Sequence, residues 1–183
     1  MNQGISSFVL DANIFIEAHR RYYAQDLCPG FWECLIHYCR ERRVFSIDRV
    51  RDEVLISQDQ LSEWVKQAPD DLFVSSAEEP VIYAFMEMMN WVQGNSQFLS
   101  EAKEQFAGVA DGWVTAYARV HNAVVVTHEG FNADVRKRVP IPNVCRQFDV
   151  DYRDTFAMLR ELEVRFEWTP LAVLGQNQGE PDQ

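Results

Sequence analysis

The sequence predicts a single three-layer α/β domain with a central, mainly parallel β-sheet flanked by helices. Short apolar runs rich in β-branched residues alternate with amphipathic helical segments, which is typical of parallel sheets built from strand–helix units. The strongest strand, Ala123 to Thr127 (AVVVT), has three consecutive valines and the composition of a strand buried on both faces. A chain of 183 residues that is 47% hydrophobic can bury one sizeable core. We therefore expect one domain over residues 1–170 and a disordered tail over 171–183.

The first half of the chain predicts three strands, each followed by helix. The run FVL stops at Asp11, and the residues after it read as a helix that Asp11 or Asn13 can cap. Later helices are indicated by apolar residues at the spacing i, i+3, i+4 and i+7. The predicted strands are 8–10, 44–47 and 72–74, and the predicted helices are 12–24, 32–39, 49–56 and 61–68.

The second half continues the alternation. Pro80 suits the first turn of a helix, and we expect the apolar stripe of that helix, Ile82, Phe85, Met86 and Met89, to face the core. Pro140 and Pro142 then break the chain before the last elements. The remaining expectations are helices over 98–106, 111–120 and 154–168, the AVVVT strand, and a last strand near Val144-Cys145.

The net charge of −11 argues against binding nucleic acid through bulk electrostatics. Two interpretations of the acidic composition remain open. The acids form a solvated surface, or some of them converge to hold cations. Local basic clusters can still position a phosphate backbone. These clusters are Arg40/Arg42/Arg43, Arg49/Arg51 and Arg136/Lys137/Arg138.

Several other classes of function lack their motifs. The four cysteines form no C-x-x-C pair and the histidines show no H-x-x-x-H spacing, so a zinc site is poorly supported. Neither a P-loop nor a G-x-S-x-G nucleophile motif is present. No apolar run is long enough to span a bilayer, and the N-terminus lacks the pattern of a signal peptide. We therefore expect no membrane association and a cytoplasmic location.

Acidic residues stand where parallel α/β sheets place their sites. Asp11 directly follows the first strand, and Glu129 follows the VVVT strand by two residues. Glu53 lies one turn into a helix, and Asp111 begins one. Singly, each has a simpler interpretation as a helix cap or a surface acid near a helix N-terminus. Together they predict a carboxylate cluster, which makes sense when divalent cations neutralise it, and oxygen-only ligands suit Mg²⁺ or Mn²⁺.

Four motifs, taken in order, resemble those of the PIN-domain nucleases. FVLDANIFIEA is similar to the opening strand and helix of that family, in which D-x-N follows the strand. RVRDEV resembles the second acidic motif, ADGWVTAYA the third, and VVVTHE the strand and Thr-x-acid of the fourth. YYAQDLCPGFWECL and IPNVCRQF resemble a PIN-like subgroup commonly found as toxins in bacterial toxin–antitoxin pairs. The resemblance covers roughly residues 7–166.

The resemblance implies a PIN-like fold and metal-dependent endonuclease action on RNA, in which water activated by Mg²⁺ or Mn²⁺ attacks the phosphodiester. Asn13 and Thr127 match positions that support the acidic site by hydrogen bonds. The fourth acid is usually Asp in the family and is Glu129 here, so we expect Glu129 to act less directly than the others. The catalytic and metal-binding acids implied in this way are Asp11, Glu53, Asp111 and Glu129.

The expected partners are an RNA substrate and a cognate antitoxin that occludes the site, and a homo-oligomer stays open. Tyr22 and Tyr23 offer stacking surfaces for RNA beside two arginines, although a helix end that packs its tyrosines explains them equally well. The candidate RNA-binding residues are Arg20, Arg21, Arg49 and Arg51.

The sequence leaves two alternative functions open. A catalytically degenerate PIN-like binding module would keep the fold but fail to bring all four acids together. A phosphatase-type hydrolase would use Asp11 as nucleophile, but it favours a second Asp two residues on, where this chain has Asn13. The phosphatase is the less favoured of the two.

Overall fold

A computed structural model describes residues 6–167 of the chain. These residues build one five-stranded sheet with helices packed around it. The tail expected over 171–183 lies outside the described residues. Within the described residues, no helix has both the length and the apolar character needed to cross a membrane.

All neighbouring strands of the sheet run parallel, in the order β3-β2-β1-β4-β5. Leu10 pairs with Val126 in the register of the two central strands. The residues that follow them, Asp11 and Thr127, therefore emerge side by side at the carboxyl edge. The parallel three-layer α/β class predicted from the sequence is confirmed. The strands are β1 (Phe8–Leu10), β2 (Val44–Ile47), β3 (Phe73–Val74), β4 (Val124–Val126) and β5 (Tyr152–Arg153).

Helices connect the strands, and three of them carry proline in the first turn, where its missing N–H costs nothing. The helix expected over 12–24 is two pieces, because its α-helical part ends at Glu17 and a π-helical turn follows over Ala18–Tyr22. The α-helices are α1 (Ala12–Glu17), α2 (Pro29–Arg40), α3 (Asp48–Leu55), α4 (Gln60–Gln67), α5 (Glu79–Gly94), α6 (Ser100–Gly108), α7 (Asp111–His121), α8 (Ile141–Gln147) and α9 (Thr155–Glu161).

The core is centred on β1 and β4, whose residues are all buried. Helix α7 packs against both strands and against α5. Residues 8–10 and 124–126 have helices on both sides, which is why they read as continuous apolar runs rather than alternating ones. The same burial fixes α7, and with it Asp111 at its first position, relative to the end of β1.

The prediction of a last strand near Val144-Cys145 is wrong. Both residues lie in α8, and the last strand is β5 at Tyr152–Arg153. A short buried apolar run does not distinguish strand from helix by composition alone. The signal that did distinguish them is the helical spacing of Ile141, Val144, Cys145 and Phe148, with Pro142 in the first turn.

The prediction of which residues of α5 face the core is also partly wrong. Ile82 and Met86 are 38% and 52% exposed, whereas the fully buried side includes Val81 and Met88. Helix α5 is apolar around most of its circumference, so two stripes at helical spacing compete and the sequence pattern does not choose between them. Packing against α7 selects the stripe.

Candidate functional site

Asp11 forms the floor of the site. It directly follows β1 and is 1% exposed, and its backbone N–H extends the strand by donating to the Val126 carbonyl at 3.0 Å. Its Oδ2 accepts hydrogen bonds from Thr127 Oγ1 at 3.2 Å and from Asn13 Nδ2 at 3.3 Å. Asp11 occupies the N-cap position of α1, but its side chain makes no capping hydrogen bond. The capping interpretation therefore does not account for this carboxylate.

One oxygen of Asp11 is left without a partner. Its Oδ1 is buried and, among the described residues, receives no hydrogen bond. A buried carboxylate oxygen without a donor carries a desolvation cost. Such an atom fits a group that binds a cation.

Asp111 and Glu53 approach from two helices. Asp111 is the first residue of α7 and half-buried, and Ala110 rather than Asp111 holds the N-cap position. Glu53 lies on α3 and is also half-buried, close enough to the backbone N–H of Ala110 for that group to oppose the rise in its pKa. Glu53 therefore lies near the start of α7, where Asp111 is located.

The acids share one electrostatic environment. Burial, together with the charge of Glu129, raises the pKa of Asp11 to about 7, although the hydrogen bonds from Thr127 and Asn13 oppose the shift. Burial raises the pKa of Asp111 to about 8, with further increases from Asp11, Glu129 and Glu53. Burial also raises the pKa of Glu53. The structure thus brings the four acids singled out by the sequence into electrostatic contact.

Glu129 is held differently from the other three acids. Its Oε2 accepts the Ile141 backbone N–H at 2.7 Å, and its Oε1 accepts from Arg138 Nη1 at 3.1 Å. Its own N–H donates to Thr127 Oγ1 at 3.2 Å. Both carboxylate oxygens are therefore engaged, and the side chain lies between the acids and the start of α8.

Three of the four acids, Glu53, Asp111 and Glu129, line a small cavity of about 230 Å³, and Asn13 and Arg138 are also in its wall. Asp11 is buried next to Asn13 and does not line the cavity itself. In the part of the chain that the structure describes, no three Asp, Glu, His or Cys side chains are arranged to hold a metal ion by themselves. Mg²⁺ commonly keeps several waters and takes only one or two carboxylates plus substrate phosphates. The donor set is oxygen alone, and together with the unpartnered Oδ1 of Asp11 it fits such an ion.

The place of Arg138 in the site is not predicted by the sequence. Arg138 belongs to the basic cluster 136–138, and nothing in the local pattern indicates that it reaches Glu129. The ion pair spans a loop and depends on α8 returning to the edge of the sheet. From the sequence, Asp134 on the loop after the VVVT strand is the alternative to Glu129 as fourth acid, and we expect it to be exposed and paired with Arg136 or Lys137. It is exposed, but in the described part of the chain the structure shows no ion pair for it.

The candidate RNA-binding arginines have different surroundings. Arg49 and Arg51 are both exposed, and Arg49 also lines a second cavity that shares Glu53 with the first. Arg21 pairs with Glu17 on the same helical segment, and Arg20 is exposed. Beside them, Tyr22 is 54% exposed, and the neighbouring Tyr23 stacks on Phe31 at 4.2 Å.

Fold and site together define a parallel α/β protein with an acidic cavity at the carboxyl edge of its sheet. The sequence profile of a family described as a domain of unknown function (DUF4411) matches residues 8–166, and the chain belongs to this family. No curated protein matches the chain. Among solved structures, the crystal structure of FitAcB from Neisseria gonorrhoeae is similar, with 15% sequence identity and a TM-score of 0.47, over 79% of this chain and 95% of that one.

Proposed function

We propose that the protein is a Mg²⁺- or Mn²⁺-dependent endoribonuclease that hydrolyses RNA phosphodiester bonds. The observation that carries the proposal is the buried, unpartnered Oδ1 of Asp11 within a group of four interacting acids. Burial and then the charges of the neighbouring acids raise the pKa values of Asp11 and Asp111, and a cation would offset both the burial of these charges and their mutual repulsion. The resemblance to PIN-domain nucleases, motif by motif, supports the same chemistry.

The residues that would hold the ion are Asp11 and Asp111, with Glu53 beside them. A bound ion would supply positive charge for the phosphodiester and Lewis acidity for the displacement. Thr127 and Asn13 orient the Asp11 carboxylate. Glu129, tied to Arg138 and Ile141, contributes negative charge and positions the start of α8 at the rim of the cavity.

Cleavage of a labelled single-stranded RNA with Mn²⁺, with Mg²⁺ and with EDTA tests the proposal. We expect cleavage only with metal and none in Asp11→Asn, because this substitution removes a charge that serves both metal binding and transition-state stabilisation. The matched control is Asp134→Asn, an exposed acid on the loop after β4. Cleavage undiminished in EDTA, or in folded Asp11→Asn protein, would rule out the mechanism.

A second candidate is a PIN-like binding module without catalysis. The observation in its favour is Glu129, whose two oxygens are both occupied by protein donors. This candidate predicts that the chain binds RNA but does not cleave it with either metal. The same assay, run beside a binding measurement, separates the two functions.

We also propose that the protein acts as the toxin of a toxin–antitoxin pair, which rests on the resemblance to that PIN-like subgroup. An antitoxin would inhibit by covering the acidic cavity. Co-purification with the product of an adjacent gene, followed by loss of RNA cleavage in the complex, is the expected result. Size-exclusion chromatography of the chain alone measures whether it is a homo-oligomer.

A further inference from the structure

A second cavity of about 570 Å³ lies beside the acidic one. It is formed by α3 and by the junction between α6 and α7, and Glu53 and Val109 line both cavities. The two cavities are therefore neighbours along one surface, with Glu53 on the boundary. A volume of this size falls within the range of small-ligand pockets, about 300–1,000 Å³, and it suits one nucleotide of a single strand.

Arg49 is fixed in the wall of this second cavity. Its guanidinium lies 3.8 Å from the centre of the Trp113 ring, and Trp113 stacks on Phe85 at 3.8 Å. Its Nε donates to Ser76 Oγ at 3.1 Å, and the buried Ser76 donates to Asp48 Oδ1 at 2.6 Å. An arginine held by stacking and by a hydrogen bond loses little freedom when it binds a ligand.

The remaining donors of Arg49 are available. Among the described residues, neither of its terminal nitrogens, Nη1 and Nη2, has a hydrogen-bond acceptor, while Nε is satisfied. Two parallel N–H groups of a guanidinium match two phosphate oxygens. The free side of this group therefore suits a phosphate.

Charge decides what kind of phosphate is expected. Asp52 and Glu53 line the same cavity and the chain carries a net charge of −11, so a freely diffusing anion is disfavoured. A phosphate in a strand already bound at the acidic cavity arrives at high effective concentration. Ile56, also in the wall and 77% exposed, offers an apolar contact for the attached base.

We propose that this cavity binds the nucleotide next to the cleaved bond of a single-stranded RNA, with Arg49 clamping its phosphate. The proposal rests on the proposed ribonuclease function and names a substrate subsite for it. It assigns the contact to Arg49, which is stacked and hydrogen-bonded in the cavity wall.

Binding of a fluorescently labelled single-stranded RNA of about twelve nucleotides tests the subsite. The full chain carries Asp11→Asn to prevent cleavage, and Kd is measured at several salt concentrations. Arg49→Gln should weaken binding about tenfold and lower the salt slope by about 0.7, the contribution of one phosphate contact on a single strand. In the enzyme with Asp11 intact, Arg49→Gln should raise KM with little change in kcat, because the contact exists before and during the reaction.

Arg160→Gln is the matched control, because it removes the same charge from an exposed position in the last turn of α9, outside the basic clusters named above. Equal Kd values and salt slopes for Arg49→Gln and Arg160→Gln would overturn the subsite even if the wild type cleaves RNA. Conversely, absence of cleavage with Arg49-dependent binding would refute the ribonuclease, and it would support this cavity as a nucleotide-binding site in which Arg49 contacts the phosphate. If Arg49→Gln does not fold, Arg49→Lys carries the test. Binding by Arg49→Lys as tight as wild type would contradict a guanidinium clamp.

Discussion

The hydroxyl of Thr127 donates to Oδ2 of Asp11 at 3.2 Å, across 116 positions of sequence. The register of β1 and β4 produces this contact, because Leu10 and Val126 pair and the next residues leave the sheet together. The same hydroxyl accepts the N–H of Glu129 at 3.2 Å. One threonine therefore orients two of the acids, and its role can be tested apart from theirs.

Thr127→Val should weaken metal binding without removing a charge. Because a hydrogen bond to the ionised form lowers the pKa of an acid, its loss should raise the pKa of Asp11 further above about 7. We expect Mn²⁺ affinity to fall by about 10- to 100-fold, as is usual for groups that orient metal ligands. The increase in Tm on adding Mn²⁺ measures that affinity.

Ser46→Ala is the control for this prediction, since Ser46 is equally buried but donates to the Leu10 carbonyl. A full Mn²⁺ response in Thr127→Val, equal to that of Ser46→Ala, would show that Thr127 does not serve the metal site.

Asp111→Asn should stabilise the metal-free protein near neutral pH. Burial and the neighbouring acids raise the pKa of Asp111 from 3.8 to about 8, so folding favours its protonated form. The stability that protonation provides is complete below about pH 4 and is lost as the pH rises through 8. Wild-type Tm without metal should therefore fall between pH 5 and 8, and less steeply in Asp111→Asn.

Each kcal/mol corresponds to about 2–4 °C of Tm in a domain of this size, so thermal melts across this pH range resolve the effect. Added Mn²⁺ should stabilise the wild type more than Asp111→Asn at pH 8. Parallel pH profiles and equal Mn²⁺ responses would favour a purely structural role for Asp111 at the start of α7.

Glu129→Gln should retain slight activity, where Asp11→Asn shows none. Gln keeps an acceptor for the Ile141 N–H but loses the charge that pairs with Arg138. We expect a loss of about 10- to 100-fold, the usual range for groups that act through the metal ligands. Mn²⁺-dependent rates measured beside Asp134→Asn check this prediction. If Asp134→Asn lowers the cleavage rate strongly and Glu129→Gln leaves it at the wild-type level, the fourth acid is assigned wrongly.

Gly112→Ala should destabilise the junction that carries Asp111. A Cβ at Gly112 would lie 2.9 Å from Cε2 of Phe85 and 3.1 Å from Cε1 of Phe106, inside the packing of α5 and α6 on α7. Overpacking of this kind costs about 1–3 kcal/mol. Chemical denaturation measures the loss. Gly108→Ala is the control, because its Cβ would meet no atom within 4 Å, and identical unfolding free energies for the two variants would contradict the argument.

The sequence predicted the fold class and the positions of the four acids from local pattern. Buried parallel strands are predicted by the FVL run, which forms β1, and by the valine run, which forms β4. An acid that directly follows such a strand lies at the carboxyl edge of the sheet. The start of α7 at Asp111 was also predicted. These features follow from spacing over a few residues, which is the range over which helical and strand periodicity operate.

Only the tertiary structure decided which side of α5 is buried and whether the run around Val144 forms a helix or a strand. Ile82 is exposed although its spacing is helical, because α5 is apolar nearly all round and α7 covers another side of it. Val144 lies in a helix although a short apolar run also suits a strand. The buried residues Ile141, Val144 and Cys145 have helical spacing and pack on one side of α8. Arg49 reaches the Trp113 ring from a different helix, and Arg138 reaches Glu129 across a loop. Local periodicity predicts the kind of element and shows which acids lie at its ends. The residues that Arg49 and Arg138 contact come from other elements or from across a loop, so only the packing of whole elements brings them together.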